Sequence, residues 1–409
     1  MKFPSTQRLP SSWLATAVGR RSLLGGAGLA LLLSTSKAQT TTTPLTPVAA
    51  SGYRGNRPRT VEELRTWYGG APAEQALEPA LPIVDPHHHL FGQAGDTQHY
   101  RLEDFERDLT SGHRIIGTVW VEAYGDGWRT SGPEALRSLG EVERVMRDIR
   151  QRRDSPLLRN VAAGMVSNVD LTLGDRVEEI LDLHIEASDG RLRGARHHAS
   201  YDAGPIARFI PASRPGLLAD PGFRRGVACL ARQGLGLDAL VFHTQIPEVA
   251  DLADALPDAP IVLNHLGQII GVEQYAGRRR EVFDTWRADI QELALRPNVR
   301  VKLGGMGMPM FGFGFETQAA PATSARLAQA WQPYIDVCLE AFGAQRCMFE
   351  SNFPVDSQSC GYTELWNAFK RASRSLSEDE RRQLFYRTAC RTYRLPELES
   401  LGDEAWLSR

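Results

Sequence analysis

The chain has 409 residues, 42% hydrophobic and 23% charged, with a formal net charge of −2. Those proportions predict a soluble globular protein of one large or two ordinary domains. A pI near 6.6 without a basic tract excludes a nucleic-acid-binding stripe. Five cysteines, an odd number with no CxxC pair, exclude a zinc ribbon and a disulfide framework.

Residues 1–38 contain Lys2, Arg8, Arg20, Arg21 and Lys37 and no acidic residue, so the rest of the chain has a formal charge of −7. Arg20-Arg21-Ser22-Leu23-Leu24, an apolar run from Leu23 to Leu33 and the small-residue site Ser36-Lys37-Ala38 predict a cleaved twin-arginine signal. The run is too short to span a bilayer. The expectation is therefore export to the periplasm or beyond, with no membrane span in the mature chain. A Thr/Pro-rich tract (40–60) reads as linker, so 39–77 is expected to be linker and amino-terminal extension.

From residue 78 onward, short β-branched runs alternate with helical patterns. Predicted strands are Leu81–Pro86, Ile115–Glu122, Asn160–Val166, Leu192–His197, Asp238–His243, Pro260–His265, Asn298–Leu303 and Arg346–Asn352. Helical patterns between them include 132–153, 174–187, 281–296 and 324–343. Strand–helix alternation predicts a parallel sheet, and eight units predict a closed (β/α)8 TIM barrel over 78–409. No glycine-rich dinucleotide fingerprint follows the first strand, which argues against an open doubly wound sheet.

Polar residues gather at the predicted carboxyl ends of these strands: His87, His89, Glu122, Arg196, His197, His243, His265, Lys302, Glu350 and Asn352. In a barrel those ends share one mouth. In "NVRVKL" (298–303) the apolar residues Val299, Val301 and Leu303 turn Lys302 inward. His88 is out of phase with its neighbours. Arg196 and Lys302, with His197 and His243, are expected to bind a small-molecule substrate, the arginine fork suiting a carboxylate. Arg129 is a more distant cation, and the competing reading pairs Arg196 with Glu122. The loop "GGMGMPMFGFGF" (304–315) reads as a mobile apolar wall or as an ordinary packed loop.

Asp85-Pro86-His87-His88-His89, "VLNHLG" (262–267) and "MFESNFPVD" (348–356) together resemble the amidohydrolase superfamily, specifically its amidohydrolase-2 group. Relatives in that group include sugar-acid lactonases, 2-pyrone-4,6-dicarboxylate lactonase and zinc-dependent decarboxylases. The resemblance implies that His87 and His89 match the metal-binding pair of metal-dependent members, with His243 a ligand in the decarboxylases. His265 matches the histidine that works on water or substrate. Asn352 stands where the family usually has an aspartate. An amide is no base and adds no charge to a metal site, so the cofactor is either one divalent ion such as zinc or none. Glu350, two residues earlier and in the same phase, can replace the missing carboxylate, and Asp356 is a further candidate. The expected catalytic residues are His265, Glu350 and Asn352.

The expected activity is addition of water to the carbonyl of a small carboxylated or sugar-derived lactone. The alternatives are a zinc-dependent non-oxidative decarboxylase and a non-catalytic exported binding protein.

Overall fold

A computed structural model of the chain describes residues 52–408 except positions 73 and 212. The expected export signal and the start of the predicted linker lie outside the described residues. Eight parallel strands pair in sequence order: β1 (Pro82–His88), β2 (Arg114–Val121), β3 (Gly164–Asn168), β4 (Leu192–Arg196), β5 (Gly236–Ala239), β6 (Ile261–Leu263), β7 (Val299–Leu303) and β8 (Cys347–Phe349). Each is followed by a helix, from Leu102–Leu109 after β1 to Tyr362–Ala372 after β8. This is the (β/α)8 barrel the alternation predicts.

The ladder closes just past β8. Asn352 N donates to His87 O (2.8 Å) and His89 N donates to Phe353 O (2.8 Å), so β1 has a partner on both sides. Edge groups are thereby satisfied and every strand end faces one mouth. The side-chain pattern follows the pleat. Val299, Val301 and Leu303 are buried against the helices, and Lys302, equally buried, lies inside the barrel. The last helical segments pack on β1 and β8 and send Tyr393 into the interior, where its hydroxyl meets Asp238.

Several strands depart from the sequence expectation: β1 ends two residues later than predicted, and β6 and β8 end two and three residues earlier. β3 starts at Gly164 rather than Asn160, because Ala162 takes a left-handed turn (φ 49°) inside the run read as strand, and it continues to Asn168. β5 stops at Ala239, leaving His243 to begin a short 3-10 turn, His243–Gln245.

The amino-terminal extension expected before the barrel contains a helix. Thr60 and Glu63 form a reciprocal capping box on the helix Val61–Gly69. Trp67 of that helix is buried, and its indole N–H donates to Gln318 O (3.0 Å). Two aromatic anchors, Tyr53 and Trp67, give this polar tract enough apolar area to pack.

Candidate active site

Pro86 has no N–H for the ladder, and the β1–β2 register shifts between Asp85 and His88. Asp85 pins this irregular stretch, accepting from Ser351 N (3.0 Å), His87 N (3.3 Å) and Tyr362 OH (3.1 Å). His88 turns outward, stacks on Phe105 and lies 2.9 Å from Thr118 Oγ1. His87 and His89 turn inward, with their Nε2 atoms 3.2 Å apart.

The hydrogen-bond network assigns the proton on His89. Its Nδ1 lies 2.9 Å from Val121 O, which can only accept, so Nε2 holds the lone pair. Asn352 Nδ2 donates to Asp356 Oδ1 (2.7 Å), turning Oδ1 toward His89 Nε2 at 3.3 Å. Asn352 sits at φ 52°, a left-handed conformation that asparagine tolerates better than most residues.

Glu350 lies between two histidines. Its Oε1 is 2.7 Å from His265 Nδ1. Its Oε2 is 2.8 Å from His87 Nδ1 but out of line for a hydrogen bond, which leaves that oxygen without a donor. His265 opens a run of left-handed residues, with Leu266 (φ 55°), Gly267 (79°) and Gln268 (40°) following it. Such backbone costs about 1–2 kcal/mol per non-glycine residue. Here it is held by Trp286 Nε1 donating to Leu266 O and Ser200 Oγ donating to Gln268 Oε1. His265 Nε2 makes no hydrogen bond among the described residues.

Burial, reinforced by Lys302 and Arg196, pushes His87 and His265 well below the usual imidazole range, and burial with Arg196 does the same to His89. All three imidazoles are uncharged at neutral pH. Burial raises Glu350 to about 8, a shift that Lys302 opposes.

The two inner cations do not stand free for a substrate. Arg196 pairs with Glu122 through Nε, its Nη1 lying 3.3 Å from His87 Nε2. Lys302 Nζ donates to Asp238 Oδ2 (2.7 Å) and lies 3.2 Å from His87 Nδ1. A buried cation without a counter-charge would be far more costly, so each is matched by a carboxylate. This corrects the expectation that Arg196 and Lys302 together grip a substrate carboxylate. Arg129 is likewise committed, to Glu143.

Two further expected residues fall outside the cluster. His243 Nδ1 accepts from Ile270 N (3.4 Å) and its ring packs edge-on against Tyr275, because β5 ends before reaching it. His197 Nδ1 accepts from Leu171 N (3.1 Å) and walls a neighbouring cavity. That cavity, about 650 Å³, also exposes Tyr124, Trp128, Asn168 and His198. None of the clustered histidines lines it. Glu122, the partner of Arg196, also accepts from the N–H of Tyr124 in the cavity wall through Oε2 (2.7 Å).

Asp238 and Tyr393 were not singled out by sequence. Asp238 Oδ2 accepts from Lys302 and Asn264 Nδ2 (2.9 Å), and Tyr393 OH lies 3.0 Å from Oδ1. The signal for Asp238 was the one that marked Lys302: a charge within an apolar barrel strand. Tyr393 gave none.

Residues 84–395 match the family model described as Amidohydrolase. The chain belongs to the amidohydrolase family. An uncharacterized protein y4mH of Sinorhizobium fredii is 32% identical over 77% of this chain and 99% of its own. An L-fucono-1,5-lactonase of Burkholderia multivorans is 31% identical, over 54% of this chain and 69% of its own. A solved amidohydrolase from Burkholderia multivorans with bound zinc is 25% identical with a TM-score of 0.56, covering 77% of this chain and 99% of that one.

Two donor sets in this amidohydrolase invite a metal ion. Two ligands on a tetrahedral ion with bonds of about 2.0–2.1 Å lie roughly 3.3 Å apart. His87 Nε2, His89 Nε2 and Asn352 Oδ1 meet that spacing at 3.2 and 3.3 Å, with the His89 and Asn352 lone pairs facing inward. The trio His87, His265 and Glu350 is spaced more tightly, with contacts of 2.7 and 2.8 Å that fall short of that separation. The first set fits a divalent ion in spacing but contributes no negative charge. The carboxylate behind His87 is Glu350, and a guanidinium stands beside it. Such a site holds an ion weakly.

Proposed function

We propose that this amidohydrolase hydrolyses a small lactone, with His265 as the general base. The observation that carries the reading is the His265–Glu350 pair: a carboxylate at 2.7 Å fixes Nδ1 and leaves Nε2 unbonded beside His87 and His89. In the ionised state of Glu350, His265 Nδ1 donates to it and Nε2 accepts the proton of an attacking water. The water oxygen bonds to the lactone carbonyl carbon, and the Arg196 guanidinium stabilises the oxyanion. Collapse breaks the ring C–O bond, and His265 returns its proton to the departing alkoxide, giving a hydroxy acid. A divalent ion held by His87, His89 and Asn352 would further polarise the carbonyl.

Support for a lactone comes from relatives: two L-fucono-1,5-lactonases and an L-rhamnono-gamma-lactonase are similar to this chain. The decarboxylase alternative needs His243 on one ion with His87 and His89, and His243 is engaged elsewhere. A panel of sugar-acid lactones and carboxylated lactones, assayed by proton release, tests the reading. Turnover should appear and fall about 10²–10⁴-fold in His265→Asn. Binding across the panel without turnover would return the binding-protein alternative to first place.

We further infer that the protein works after twin-arginine export, from the basic and apolar pattern of residues 1–38. Retention of the unprocessed chain in the cytoplasm by the pair Arg20→Lys and Arg21→Lys tests this. Unchanged export would overturn it.

A further inference from the structure

We infer that Arg57 is an anion-binding, specificity-determining residue of the substrate site, presented by an arm that lies outside the matched family region. The inference rests on the lactonase reading for its kinetic consequence, but its binding test does not.

The arm is residues 52–60, more than 20 residues before the family match begins at 84. It packs on loops that follow four different strands, all at the mouth. Tyr53 meets Phe209 after β4 edge-on at 4.7 Å. Asn56 accepts from Met310 N (3.2 Å) after β7. Arg59 N donates to Gln358 Oε1 (3.0 Å) after β8, and Arg59 O accepts from Gln98 Nε2 (2.7 Å) after β1.

Arg57 lies between the anchors. Its guanidinium stacks 4.7 Å over Phe91, two residues past His89. It makes no ion pair among the described residues. The carboxylate that acts on it, Asp126, is already held by Arg144 and by Gly92 N. Asp126 is two residues from both Tyr124 and Trp128, which wall the cavity. The side chain is solvent-exposed, yet burial by surrounding atoms pushes its pKa below the usual arginine value.

The charge balance gives this position its meaning. Arg196 and Lys302 are neutralised inside the barrel by Glu122 and Asp238, so neither offers a net charge to an anionic substrate. Arg57 does, with a planar fork of donors that fits a carboxylate. Arg54, also on the arm and without an ion pair among the described residues, acts on Arg59, Glu63 and Glu316 instead, and serves as the control.

The test compares wild type with Arg57→Ala, Arg57→Lys and Arg54→Ala in the full chain. Citrate binding is measured by calorimetry, independently of turnover. Arg57→Ala should weaken it about tenfold or more, the loss expected for one charge-assisted contact. Arg57→Lys should recover part, and Arg54→Ala should match wild type. Kinetically, Arg57→Ala should raise KM for a carboxylated lactone by a similar factor with kcat preserved, and leave a neutral sugar lactone unaffected. Equal citrate affinity in wild type and Arg57→Ala, no citrate binding by wild type, or the same KM change for both lactones would overturn the inference. Absence of all lactone turnover would instead strike the lactonase reading, while the citrate comparison still decides Arg57.

Discussion

Glu350 shows how one buried carboxyl can control the site. Raised by burial to about 8, it is protonated at pH 7 and then donates to His265 Nδ1, which leaves a proton on Nε2 and no base there. Ionised, it accepts from Nδ1–H and frees the Nε2 lone pair. The sign follows: kcat/KM should rise with pH through a limb near 8, and Glu350→Gln should lose both that limb and about 10²-fold in rate. A profile flat from pH 6 to 9 in wild type would remove Glu350 from the proton path. Asn352 sets the metal question at the same scale. Asn352→Asp adds a negative donor 3.3 Å from His89, next to an Asp356 that burial raises well above the usual carboxylate range. Zinc affinity, read by competition with a chromogenic chelator, should rise at least tenfold, since carboxylate charge helps hold the ion. The shared phase of 350 and 352 was legible in the sequence. Which histidines Glu350 reaches was not, because that depends on β1 and β6 lying close to β8.

At the scale of elements, the course of the chain at and just past each strand end decides which polar residues enter the site. β7 ends where its alternation predicts, and Lys302 lies inside. β5 ends early, and His243 leaves the cluster with it. Alternation along a short apolar run marks the strand but not its last hydrogen bond, which the neighbouring strand supplies. The loop 304–315 is buried and packed: Met306, Met310, Phe311 and Phe315 are nearly inaccessible, and Gly305 (φ 68°) lies against His265. A β-carbon at 305 would come 2.5 Å from His265 Nδ1. Gly305→Ala should therefore push the imidazole off Glu350 and cost on the order of 10²-fold in kcat, as misplacement of a catalytic group does. Circular dichroism should show the barrel intact. Full activity in that variant would mean that the turn after β7 does not position His265.

The whole molecule buries many histidines as neutral groups, and that makes its stability depend on pH. Burial lowers His88, His113 and His198 to about 3 and His184 and His243 to about 4. In the unfolded chain these groups take up protons near 6.5, so their contribution is complete above that pH and is lost as pH falls toward their folded values. Asp85 and Asp108, raised to about 6, and Glu350, raised to about 8, act in the opposite sense over the same interval. The histidines are more numerous, so Tm should fall between pH 7 and pH 5 by scanning calorimetry. A Tm that rises over that interval would show the buried carboxyls to dominate. The sequence by itself determined the barrel, the family and most of the residues at its mouth, because alternation, motif order and inward phase are local properties of the chain. Tertiary structure alone decided their charge partners. The pairing of Arg196 with Glu122 and Lys302 with Asp238, and the packing of the 52–60 arm, join residues far apart in sequence, and only closure of the barrel brings them within a hydrogen bond.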